Sequence, residues 1–281
     1  MNRKHNKRNI VIYHLLSILF SLIFVLPILW ALIASFRPEI NIFQGISPLS
    51  FKVFSFFPFT LDNYIGVFKN EVFSKALLNT FFVATTTVII GVIINAFAGF
   101  SFATMDFYGK KVLFSIVVAS FLVPGDLLVI PTYNLIDSMG LIDTKIALIL
   151  PLLGNGMVIF MFIQFFSQIP KALSEAAVID GASYRQILII IYAPLTIPTI
   201  IGASLIMFLA QWEAFLWPLV VSRSINNGMI QLALSTFTQQ YGTLWGLKLA
   251  ASTLLCFIPL IILMPLQKYY ISSIASSAIK G

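Results

Sequence analysis

Charge is missing from this chain in long blocks. No Asp, Glu, Lys or Arg occurs between Arg8 and Arg37, Lys75 and Asp106, Lys145 and Lys171, Arg185 and Glu213, or Lys248 and Lys268. A helix needs about 20 apolar residues to cross the hydrocarbon layer, so each block is long enough to span a membrane. A sixth and less regular candidate runs from about Val112 to Tyr133, interrupted by Asp126 and by Pro124, Gly125 and Pro131. With 59% hydrophobic and 10% charged residues among 281, a soluble domain is excluded. The expected fold is an all-α membrane protein with six transmembrane helices. The single cysteine, Cys256, allows neither an intrachain disulfide nor a CxxC metal site. Two histidines, His5 and His14, leave no His-based triad or HExxH zinc site, so no metal is expected.

The charges that remain choose an orientation. With the N-terminus in the cytoplasm, six spans place segments 1–8, 105–111, 169–194 and 267–281 on the cytoplasmic side. Those segments hold Arg3, Lys4, Lys7, Arg8, Lys110, Lys111, Lys171, Arg185, Lys268 and Lys280 against Asp106, Glu175 and Asp180. The whole net charge of +7 therefore falls there, as the positive-inside rule requires, and both termini are expected to be cytoplasmic. Under this threading Trp30, Trp212, Trp217 and Trp245 all fall near the outer ends of spans, where an interfacial aromatic belt is expected. The apolar stretch after the basic head is nearly twice the length of a signal-peptide core, which argues against cleavage. The positive charge is scattered over span ends and not gathered on one face, so no nucleic-acid partner is expected.

Three connections exceed a tight turn: 34–74, 169–194 and 222–243. The second has the strongest local grammar. Pro170 suits a first helical position, Ala172 to Asp180 favours helix, and Gly181 suits the left-handed residue that ends one. Ser183 and Gln186 have the spacing of a capping box, so a second helix starts there. The result is a cytoplasmic helix-turn-helix in which small Ala176 and Ala177 permit close approach and Glu175 and Asp180 offer carboxylates. On these grounds alone it is either a docking element or an ordinary capped loop.

The run Glu175-Ala176-Ala177-Val178-Ile179-Asp180-Gly181-Ala182-Ser183, followed by Ile191 and Pro194, resembles the EAA loop of permease subunits in binding-protein-dependent ABC importers. It departs at Ala193, where that family usually has Leu. Thr60-Leu61-Asp62-Asn63-Tyr64, Gly140-Leu141-Ile142-Asp143-Thr144, Trp212-Glu213-Ala214-Phe215-Leu216-Trp217-Pro218-Leu219 and the segment from Gln267 to Gly281 are similar to the carbohydrate branch, in its maltose G-type subunit. Asn is common in that branch where Glu213 stands, and some of its terminal glycines are Ser here.

The resemblance implies the type-1 ABC importer permease (MetI-like) fold and the import of a sugar, oligosaccharide or related polyol. It implies a first segment 1–74 with one span and an external loop, a core 75–268 with the EAA loop at 170–194, and a tail 269–281. The implied partners are a second permease in a heterodimer, two ATP-binding subunits, an extracytoplasmic solute-binding protein and the surrounding membrane lipid. ATP and Mg would sit on the ATPase partners, with no cofactor on this chain and no catalysis. The EAA helix would occupy a groove of the ATPase, with Glu175 meeting a basic partner. Consistent with this division, no G-x-x-x-x-G-K-[ST] segment occurs; Gly109-Lys110-Lys111 lacks both the upstream glycine and the Ser or Thr.

Pathway candidates are few. Asp126 stands about 14 residues into the third span, roughly 21 Å along a helix, and either lines a polar pathway or caps a loop where the helix breaks early. Trp212 and Glu213 could meet a sugar by stacking and hydroxyl contacts, or simply belong to the interfacial belt. Phe51 to Phe59 is expected to fold back over the bundle, with packing on a binding protein as the alternative. Asn95, Gln164 and Gln211 are expected to be interhelical hydrogen-bond partners. Two other functions stay open: an importer of glycerol-phosphate or another small solute, and a solitary ion-coupled carrier with Asp126 as its ion site. The carrier reading is weakened because only one broken span is expected where such carriers have a repeated pair.

Overall fold

The computed structural model describes residues 3–48, 50–239 and 242–278. The side chains of residues 3–9 and 267–278, and all of 279–281, lie outside that description, so the basic head, Lys268, Lys280 and the tail carry no structural statement here. In chain order the helices are α1 (Arg3–Ser35), α2 (Asp62–Lys69), α3 (Glu71–Thr104), α4 (Lys110–Leu122), α5 (Val129–Ser138), α6 (Lys145–Ile149), α7 (Gly156–Phe166) and α8 (Lys171–Ile179). There follow α9 (Tyr184–Gln186), a π-helical stretch Ile187–Tyr192, α10 (Ala193–Leu195), α11 (Ile197–Trp212), α12 (Leu216–Val221), α13 (Ile230–Ser235) and α14 (Trp245–Ala278). A two-residue antiparallel pair, β1 (Thr238–Gln239) and β2 (Gly242–Thr243), departs from the all-helical expectation.

Three helices, α1, α3 and α14, are long and apolar enough to cross a membrane unbroken. Three further spans are bent pairs: Lys110–Leu122 with Gly125–Ser138 at 102°, Lys145–Leu152 with Gly156–Phe166 at 43°, and Tyr184–Leu195 with Ile197–Trp212 at 89°. Six spans are thus reached as expected, but three of them are broken and not one. The causes are local. Pro124 and Gly125 end α4, Pro151 stands where α6 gives way to a tighter turn, and Thr196 precedes Pro198 at the start of α11.

The chain divides into two compact units, one of residues up to Glu71 with Leu234–Ile258, the other of Val72–Ala233 with the segment from Pro259. In the larger unit α3 is the spine. Its buried positions include Thr80, Thr87, Gly91, Asn95 and Gly99, a spacing near four that forms one stripe. A Cβ at Gly91 would collide with Met207 and one at Gly99 with Phe162, so these glycines let neighbouring backbones close in.

The polar members of the stripe answer the broken spans. Asn95 Nδ2 donates to the Leu153 carbonyl at 2.9 Å while its Oδ1 accepts from the Asn155 N–H at 3.0 Å. Gln211 Nε2 donates to the Leu148 carbonyl at 3.1 Å and to Thr87 Oγ1 at 2.9 Å. Asn79 and Thr80 do the same for Asn226, Gly228 and Ile230. Asn95 and Gln211 are interhelical partners as expected, whereas Gln164 is exposed on α7 and makes no such side-chain bond. Two apolar clusters fill the unit, one around Phe100, Phe162, Phe166 and Tyr192, the other around Val83, Ile136, Leu148 and Val221.

In the smaller unit Asn63 on α2 donates to the carbonyls of Ser35 and Arg37 at 2.8 and 2.7 Å, stitching the end of α1 to α2. Glu39 accepts from the N–H groups of Trp245 and Gly246 at 2.8 and 2.7 Å, capping the first turn of α14. The expected folding back of Phe51 to Phe59 is only half met. Val53 is buried and Phe59 stacks on Phe36, but Phe51 and Phe57 stand clear.

Replacing Asn95 by Leu leaves the Leu153 carbonyl and Asn155 N–H without their partner. A loss of about 1–3 kcal/mol is expected, read as a lowered thermal midpoint of the detergent-solubilised chain; an unchanged midpoint would show that the break does not depend on Asn95.

Candidate functional site

Three interruptions converge on one cavity of about 540 Å³. The turn Gly125–Leu128 after Pro124 supplies Asp126, α5 supplies Val129 and Thr132, the fourth span supplies Pro151 and Leu152, and the end of α11 with the start of α12 supplies Glu213, Phe215 and Trp217. Helices that stop or turn leave space between them, and side chains add to the polarity of the backbone released there. Here two carboxylates do. Those of Asp126 and Glu213 have no hydrogen bond or ion pair to any other described residue, and no Lys or Arg lines the cavity.

The two readings of Asp126 are therefore combined: α4 does end early, and the residue beyond the break still lines the cavity. Trp212 is a correction. It is 2% exposed, stacked on Phe208 with ring centroids 5.6 Å apart and edge-on to Phe81 at 5.2 Å, so it neither joins an interfacial belt nor lines the cavity. Trp217 lines it instead, with Nε1 donating to the Ala147 carbonyl at 3.0 Å. Thr132 and Pro151 escaped the sequence reading, whereas Trp217 was read there as part of the interfacial belt. Pro151, lying between the caps Thr144 and Asn155, was the available signal for a break in the fourth span.

Apart from the cavity lining, Asp143 holds a left-handed backbone at φ 61°. Its Oδ1 accepts from the N–H of Arg223 at 3.0 Å and from the N–H and Oγ of Ser224 at 3.1 and 3.0 Å. These bonds, led by that from the Ser224 N–H, hold the carboxyl below the usual aspartate range.

A second exposed element is the loop around α8. Pro170 caps this helix, one position earlier than expected. Gly181, at φ +82°, turns the chain, and the Ala182 N–H reaches the Ala177 carbonyl at 2.9 Å. Ser183 and Gln186 then form the capping box in both directions. Ala177 and Ala182 pack on the Phe100 cluster, while Glu175, Ala176, Asp180 and Gly181 are exposed beside Ile179 and Tyr184. Pro194 sits in α10, just before the 89° bend. The span that begins at this capping box ends, past the bend, at Glu213 in the cavity wall.

Residues 88–273 match the binding-protein-dependent transport system inner membrane component family. The chain belongs to this family. It is a membrane-embedded, non-catalytic permease of a binding-protein-dependent importer, and the family has no cofactor of its own. The permease is 30% identical over 259 residues to the arabinooligosaccharides transport system permease protein AraQ of Halalkalibacterium halodurans, covering 92% of this chain and 91% of that one. It is 29% identical to the trehalose transport system permease protein SugB of Mycobacterium tuberculosis, covering 92% and 93%. Its fold matches a chain of a bacterial ABC transporter involved in the import of the acidic polysaccharide alginate, with a TM-score of 0.83 at 21% identity over 96% and 98% of the two chains.

Asp143→Asn tests the tie between this carboxylate and residues 223–224. A carboxylate whose folded pKa is depressed stabilises the fold above its unfolded value of about 3.9 and loses that effect as pH falls through the folded value. The variant is expected to melt below the parent at neutral pH, with the gap closing as pH drops beneath about 4; a gap independent of pH would remove the carboxylate's role.

Proposed function

We propose that this permease imports a neutral sugar, oligosaccharide or related polyol, with its N- and C-termini in the cytoplasm. In this reading it pairs with a second permease, sits on two ATP-binding subunits that hold ATP and Mg, and receives solute from an extracytoplasmic binding protein. The observation that carries the substrate class is the cavity wall: two unpaired carboxylates and an indole, with no cation. Carboxylates accept hydrogen bonds from hydroxyls, and an aromatic ring offers a face to the C–H side of a pyranose. The names of the arabinooligosaccharide and trehalose relatives support the same class. A phosphate ester would meet like charge there, which counts against the glycerol-phosphate alternative.

The α8 loop is proposed as the seat of the ATPase. Glu175 and Asp180 offer charge, Ala176 and Ala177 a close approach, Gly181 the turn, and Pro194 the transition into the bent span. Closure of the nucleotide-bound subunits would then drive the loop and tilt the span between two packings. Glu175→Lys and Gly181→Leu are expected to abolish solute-stimulated ATP hydrolysis and uptake while membrane insertion persists. Normal uptake in both would overturn the docking role. Purification of the tagged chain with mass spectrometry of bound subunits tests the assembly directly; a chain that comes down alone in several mild detergents would count against it.

For the cavity, Asp126→Asn with Glu213→Gln is expected to lower uptake of neutral saccharides at least severalfold and to relax discrimination against uronate-bearing competitors. Unaltered uptake and unaltered discrimination would place the solute elsewhere.

A further inference from the structure

The connection between α1 and α2 carries aromatic side chains that its own unit leaves uncovered. Phe51 is 97% exposed, Ile40 92% and Phe57 79%. Yet the backbone beneath them is pinned. The guanidinium of Arg37, itself 1% exposed, donates to the carbonyls of Ile42, Lys52, Val53 and Ser55. Glu39 ties the other flank to the start of α14, the Thr60 N–H donates to the Phe36 carbonyl at 2.8 Å, and the Phe36 and Phe59 rings stack at 5.4 Å. The bare side chains are thus displayed on a built scaffold.

We propose that residues 38–48 and 50–59 form an interfacial wedge, in which Ile40, Phe51 and Phe57 enter the acyl boundary of the membrane and Lys52 reaches the lipid phosphates. The first reason is continuity. Arg37 follows the last residue of α1 by two positions, and only 6% of the apolar window of α1 is buried within the chain. The exposed residues of α1 include Leu15, Leu19, Phe20 and Phe24. Close helix–helix contacts in membranes favour small residues, so a surface of this kind suits lipid, and the wedge extends it.

The second reason is the backbone. Irregular chain at membrane depth is tolerated only where protein groups satisfy its polar atoms. Arg37 does this for four carbonyls of a segment whose only regular structure among the described residues is two short 3-10 turns, Glu39–Asn41 and Phe51–Phe54. The third is the pairing of an exposed Phe51 with an exposed Lys52, an aromatic ring beside an ammonium on a flexible stem, which matches the layering of acyl chain and headgroup.

The test uses the full-length chain with its co-purifying subunits in nanodiscs containing anionic lipid, in a Cys256→Ala background. Nitroxides are placed at Phe51→Cys and Phe57→Cys, with Leu19→Cys as the lipid-facing reference and Tyr108→Cys as the water-facing one. Relaxation by oxygen and by a water-soluble nickel chelate is compared. The oxygen-to-nickel ratio at both wedge positions is expected to match Leu19 and exceed Tyr108 severalfold. A ratio matching Tyr108 would put the loop in water, and low access to both reagents would put a protein partner on it; either overturns the proposal. Because all the substituted side chains are exposed, folding does not depend on them, and Ile40→Cys repeats the measurement on the opposite flank.

Discussion

In a membrane no water waits to satisfy a loose N–H or carbonyl, so each interruption of a spanning helix needs a partner from elsewhere in the protein. The larger unit is organised around that need. The α3 stripe is at once small and polar: Gly91 and Gly99 admit neighbouring backbones, and Asn79, Thr80, Thr87 and Asn95 receive the groups released where those neighbours break. Remove the stripe and the break after Pro151 would have exposed polar backbone in an apolar phase. The cavity exists because such breaks are affordable.

The capped loop and the cavity wall lie at the two ends of one span. It begins at the Ser183–Gln186 capping box, runs through six π-helical residues, bends by 89° at Thr196, and finishes beside Glu213. π-Helical turns and proline-flanked bends are weak points in an otherwise stiff rod. Thr196 holds this one by donating from Oγ1 to the Tyr192 carbonyl at 2.8 Å, while Tyr192 is locked edge-on between Phe100 and Phe166. The capping box and the cavity wall are therefore joined through a bend that is packed and hydrogen-bonded.

Much of this was legible before any coordinates. Charge-free blocks located the spans, because ionised groups are excluded from the hydrocarbon layer, and the Gly181 turn and the capping box are local chemistry that depends on adjacent residues alone. The breaks in the fourth and fifth spans were less legible. Pro151 and Pro198 sit in runs apolar enough to pass for unbroken helix, and whether a proline bends a span depends on distant donors such as Asn95 and Gln211. Trp212 was misplaced for a related reason: its position near a span end suggested an interface, but burial is decided by Phe81 and Phe208 arriving from other turns. Asp126 was recognisable as costly, although its meeting with Glu213 across three elements is a tertiary fact.

Arg37 raises a question of timing. All four residues whose carbonyls receive its guanidinium lie downstream and near in the chain, between Ile42 and Ser55. A cation that had to await α14 for solvation would remain unsatisfied while most of the polypeptide was being synthesised. This one needs only the next 18 residues. The arginine can be solvated by its own nascent segment soon after α1 emerges, so the cap on the first span is complete before the bundle it will join has been made.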